Sequence, residues 1–150
     1  MSISRFTAAS AAAALISAGT IAAGSLNAAS KPAHPARAKA TIVVRMLGGA
    51  SGYRFQPASV TAHVGDVVRF VNVSGGPHNV AFWEDKIPAG AAATLQANMQ
   101  KTDGALNGAL LSDPNETYTV SLAGLRPGTY RYYCVPHLAV GMVGRITVRP

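Results

Sequence analysis

The chain has 150 residues, of which 49% are hydrophobic, with one cysteine and a formal charge of +7 from 13 basic and 6 acidic side chains. That apolar content excludes a disordered polypeptide, the length fits one domain with a leader, and the lone cysteine excludes an internal disulfide. Four of the basic residues, Arg5, Lys31, Arg37 and Lys39, precede Thr41, which leaves nine basic against six acidic residues beyond it; this excess is too small and too scattered for nucleic-acid binding.

Residues 1–28 read as an export signal. Arg5 supplies the positive start, residues 6–24 are a run rich in Ala, Leu, Ile, Ser and Gly, and the small residues near Gly24 and Ala28 suit cleavage. The run is near spanning length, so an uncleaved membrane anchor is the alternative, but its Ala, Gly, Ser and Thr make it weakly apolar. Cleavage is the expectation. Residues 29–40, which include SKPAHPARAKA, read as a linker, with His34 solvated.

From Thr41 to the end, residues 41–150 change to short β-branched runs between turn signals. Ile42, Val43 and Val44 open the domain, and residues 47–51 form a glycine-rich loop. Val60, Ala62 and Val64 alternate onto one face, which turns His63 outward. Gly65 and Asp66 turn the chain into a strand over residues 67–72, and another follows over 80–83. Residues 84–116 are irregular, with room for one short helix between Ala92 and Gln100. Tyr118, Val120 and Leu122 alternate against Thr117, Thr119 and Ser121. The last strands fall at residues 130–134 and 145–148. Seven or eight short strands in about 110 residues predict an all-β Greek-key β-sandwich.

The chemistry lies in the stretch YRYYCVPHLAVGM, residues 130–142, and in GGPHNVAF, residues 75–82. Period-two alternation puts Tyr130, Tyr132 and Cys134 on the inner face, with Arg131 and Tyr133 outside. Pro136 ends the strand, and Gly141 and Gly144 let the following loop turn so that His137 and Met142 return to the cysteine. His78 comes from a separate strand. A thiolate, two imidazoles and a thioether match a trigonal His2Cys blue-copper centre with a weak methionine bond. Two other chemistries compete. Cys134 with His137 is a candidate thiolate–imidazole pair, but no third orienting group is evident; a structural zinc site rarely uses methionine.

These stretches resemble the plastocyanin-type cupredoxins, within the plastocyanin/pseudoazurin group. The resemblance runs from about Thr41 to Val148, most of the mature domain, through FQPASVTAHVGDVVRFVN, PHNVAFWEDKIPAG, LLSDPNETYTVSL and GTYRYYCVPHLAVGMVGRITV. It implies one copper ion held by His78, Cys134, His137 and Met142. It also implies that Asn79 helps pin the cysteine loop. The dense acidic patch of the plant proteins is half erased here, in Trp83-Glu84-Asp85-Lys86, and in the second acidic region Asp103 stands against Lys101.

The function expected is a soluble, monomeric one-electron carrier whose copper alternates between Cu(II) and Cu(I), exported to a periplasm, a thylakoid lumen or the cell surface. Its partners are donor and acceptor redox proteins, with no small-molecule substrate and no catalytic residues; loose membrane association requires an uncleaved leader. His137, flanked by Leu138, Ala139 and Val140, is the expected electron port. Tyr133, beside Cys134, is either a second route or a plain surface residue. The alternatives are a copper storage or delivery protein without a redox partner and a cupredoxin-fold domain that no longer uses metal.

Overall fold

Apolar residues at every second position build eight strands within residues 37–150, the part of the chain that the computed structural model describes. They are β1 (Thr41–Leu47), β2 (Arg54–Gln56), β3 (Ser59–His63), β4 (Val67–Asn72), β5 (Ala81–Phe82), β6 (Thr117–Ser121), β7 (Gly128–Tyr133) and β8 (Val143–Arg149). One helix, α1 (Ala92–Asn98), lies inside the irregular segment, where the sequence left room for it. The leader and the linker up to residue 36, with His34, lie outside the described residues.

Two four-stranded sheets face each other, ordered β2-β1-β4-β6 and β3-β8-β7-β5. The β1–β4 and β3–β8 pairs are parallel and the others antiparallel, so strands adjacent in a sheet are often distant in the chain, as in a Greek key. Val44, Met46, Val68, Phe70 and Val120 from the first sheet meet Val60, Ala62, Tyr130, Tyr132, Ile146 and Val148 from the second, all buried. Phe55, Phe70 and Phe82 surround the Tyr132 ring, with Phe55 edge-on at 4.7 Å and Phe70 at 5.2 Å between centroids. This aromatic layer lies one residue pair below Cys134 and gives the metal end of β7 a stiff base.

The structure corrects several local expectations. β2 was not anticipated, because three residues between a loop and Pro57 carry almost no periodic signal. β5 is two residues long and both are buried. Val64 is exposed, because β3 ends at His63 and the chain is already turning toward Gly65. Gly144 lies inside β8 opposite Tyr132; a Cβ there would come within 2.4 Å of the Tyr132 ring. Its role is close approach, and the turn belongs to Gly141 alone, at φ 82°.

Candidate metal centre

Three segments meet at one end of the sandwich. Cys134 directly follows β7, and the loop after it closes on itself. The Cys134 amide donates to Met142 O at 3.1 Å, the His137 amide to Cys134 O at 3.2 Å, and the Met142 amide to His137 O at 3.1 Å. A single 3-10 turn over Leu138–Val140, ended by left-handed Gly141, makes this reversal. Cys134 and Met142 are fully buried, while His137 is partly exposed.

His78 enters from the other side, bridged to Leu111 by bonds in both directions, from His78 N to Leu111 O at 3.0 Å and from Leu111 N to His78 O at 2.8 Å. Its Nε2 lies 2.9 Å from Ser74 O. A carbonyl only accepts, so Nε2 carries the proton and Nδ1 presents its lone pair to the site. His78 Nδ1 stands 3.7 Å, and His137 Nδ1 3.4 Å, from Cys134 Sγ, and the three donor atoms lie within 4.8 Å of one another. Donors bound about 2.0–2.3 Å from one ion stand roughly 3.4–4 Å apart, and both sulfur–nitrogen distances here fall in that range.

The electrostatics agree. Burial pushes the Cys134 thiol up, against the pull of the Asn79 and His137 amides, so without a metal it keeps its proton and is inert as a nucleophile. Burial, with repulsion from His78, lowers the His137 pKa and keeps that imidazole neutral as a ligand. Among the described residues no carboxylate joins the cluster. Two imidazoles, a thiolate and an adjacent buried thioether are the donor set of a blue-copper centre, and the soft sulfurs argue against a structural zinc site.

Asn79 ties this end together. Its Oδ1 accepts from the Val135 amide at 2.7 Å, and its Nδ2 donates to Asn107 Oδ1 at 2.8 Å and Gly108 O at 3.1 Å. Its own amide lies 3.5 Å from Cys134 Sγ. One side chain therefore stitches the cysteine loop to the irregular segment.

The surface above the cluster is apolar: Leu138, Val140, Val135 and Leu110 are 39, 64, 47 and 51% exposed, and Ala139 is exposed beside them. Tyr133 is partly covered by Trp83, stacked on it at 4.3 Å, with Lys86 Nζ 4.6 Å from the Trp83 ring centre.

Sequence reasoning missed Tyr53, which stacks on His137 at 3.8 Å and 15°. It follows the glycine-rich loop, just before β2, where no periodicity gives a direction; its cue is Gly48, whose missing Cβ makes room for the Tyr53 ring. Ser74, Asn107 and Trp83 were also missed: Ser74 acts through its backbone carbonyl, Asn107 through a side-chain bond to Asn79 and Trp83 through a stack on Tyr133, and none of these leaves a periodic trace.

Residues 40–149 match the family model described as copper binding proteins, plastocyanin/azurin family. A chloroplastic plastocyanin of Pisum sativum is 44% identical over 109 residues, which cover 71% of this chain and 60% of that protein. A plastocyanin of Rumex obtusifolius is 43% identical over 104 residues, covering 69% of this chain and 96% of that one. Among solved structures, oxidized plastocyanin from Dryopteris crassirhizoma superposes with a TM-score of 0.54 at 32% identity, over 71% of this chain and 99% of the other.

Proposed function

The chain belongs to the plastocyanin/azurin family of copper-binding proteins, and from that premise we propose that it is a type 1 blue copper electron carrier with His78, Cys134, His137 and Met142 as the copper ligands. The observation that carries this reading is the convergence of three donor atoms within 4.8 Å beside a fully buried Met142. Copper held there supplies one-electron chemistry by alternating between Cu(II) and Cu(I).

The residues around the donors hold them in place. Ser74 fixes the His78 tautomer, Asn79 pins Val135, and Tyr53 covers the His137 ring face. None of these supports depends on the charge at the site, so little has to rearrange when an electron moves. His137 meets solvent amid Leu138, Ala139 and Val140, and that apolar patch suits brief docking of a redox partner. Buried Cys134 and Met142 favour a carrier over copper delivery, which needs exchangeable ligands, and the protein donors leave no position for a substrate, which favours a carrier over an enzyme.

The net charge beyond Thr41 is mildly basic, so an acidic or near-neutral partner surface is the fit, met by a monomer. Residues 1–28 fit an export signal to a periplasm or lumen, and among the described residues no helix is long and apolar enough to cross a membrane. Voltammetry of the copper-loaded protein tests the function: a reversible one-electron wave supports it, and a wave accompanied by copper loss would favour delivery.

A further inference from the structure

The outer face of the second sheet carries a charge pattern that the metal centre does not use. Arg131 on β7 and Arg145 on β8 are partners in an antiparallel ladder, so their Cβ atoms stand about 5 Å apart, and like charges so placed oppose folding. Both are exposed. The other outward positions nearby, Ser59, Thr61, Thr129, Thr147 and Arg149, include no carboxylate. Among the described residues both salt bridges go to Asp66 and none to either arginine. The pair instead lines a groove of about 310 Å³, together with Ala58, Ser59, Thr129, Val143 and Gly144.

We propose that this groove binds a free oxyanion of the phosphate class. A guanidinium is a planar fork of donors that matches phosphate oxygens, and the two arginines that carry such forks line the same groove here. Ser59 and Thr129, which line the same groove, each carry a hydroxyl donor. The volume admits the ion with part of its water shell. An anion between the arginines converts a repulsive pair into two attractive contacts. Arg131 points away from the face that carries Cys134, so the site is independent of the metal chemistry.

The test uses copper-loaded, reduced protein titrated with sodium phosphate and with sodium chloride at equal ionic strength. Amide resonances of Thr129, Arg131 and Arg145 are expected to shift saturably with phosphate, and the Tm to rise above its value in chloride. Arg131→Gln and Arg145→Gln each bind about tenfold more weakly, the scale of one charged hydrogen bond. In phosphate-free, low-salt buffer each variant melts at or above the native Tm, because one half of the repulsive pair is gone. Phosphate and chloride responses that coincide, or variants that respond like the native protein, overturn the proposal.

Discussion

At the scale of single residues the metal end is a set of separable tasks. A thioether binds weakly along its axis, so Met142 sets the potential more than it holds the ion. Met142→Gln offers a harder oxygen donor, favours Cu(II) and lowers the potential; Met142→Leu removes the donor and raises it. Voltammetry of the three proteins checks this, and equal potentials would count against axial ligation. Tyr132 presents a different case, since its hydroxyl is buried with no hydrogen-bond partner among the described residues, and such an orphan costs about 1–3 kcal/mol. Tyr132→Phe keeps the ring among Phe55, Phe70 and Phe82 and removes the orphan, so it is expected to stabilise the fold by about 1 kcal/mol. A lower midpoint in denaturant unfolding would show that the hydroxyl has a partner.

At the scale of elements, what the sequence revealed follows the range of the interactions involved. Alternation in β7 and β6 is a local signal: it correctly placed Tyr130, Tyr132 and Cys134 inward, and it set Tyr118 and Val120, both buried, apart from Thr117 and Thr119. The short helix was legible from its flanking turn residues. β2, the Tyr53 stack and the Asn79–Asn107 bond were not legible as contacts, because each joins segments whose separation in the chain carries no periodic trace. Gly144 makes the same point: a glycine read as a turn is a notch for a side chain on the neighbouring strand. Gly144→Ala therefore drives a methyl into the Tyr132 ring and is expected to cost about 1–3 kcal/mol. Gly141→Ala meets nothing within 4 Å and carries only the left-handed backbone cost, about 1 kcal/mol. Chemical denaturation of both variants ranks them, and a smaller loss at Gly144 would contradict the notch.

For the whole molecule, charge sets both the stability profile and the choice of partner. Burial pushes the Asp66 carboxyl up, but amides of Ala40 and His63 and the Arg37 guanidinium outweigh it and hold the pKa below its usual value. A carboxyl depressed on folding stabilises fully above its unfolded value of about 4, and that contribution is lost as pH falls through the folded value. Asp66→Asn is therefore expected to be less stable at pH 7 and to show a flatter loss of Tm on acidification; an unchanged slope would remove Asp66 from the acid response. At the opposite end, Leu138→Glu places a charge in the apolar patch. It is expected to slow electron transfer with the native partner in stopped-flow kinetics while the absorption spectrum stays intact. An unaffected rate, combined with a large loss for Tyr133→Leu, would move the port to the tyrosine side.

The central claim is that His78, Cys134, His137 and Met142 make one blue-copper centre, and the absorption spectrum of the purified domain on addition of Cu(II) tests it most directly. An intense band near about 600 nm, the signature of a copper–thiolate bond at such a site, is expected at one equivalent of copper. In Cys134→Ser the band disappears while the β-sheet signal in circular dichroism remains. An unchanged band in the serine variant, or a native protein that takes up Cu(II) without that band, would contradict the account.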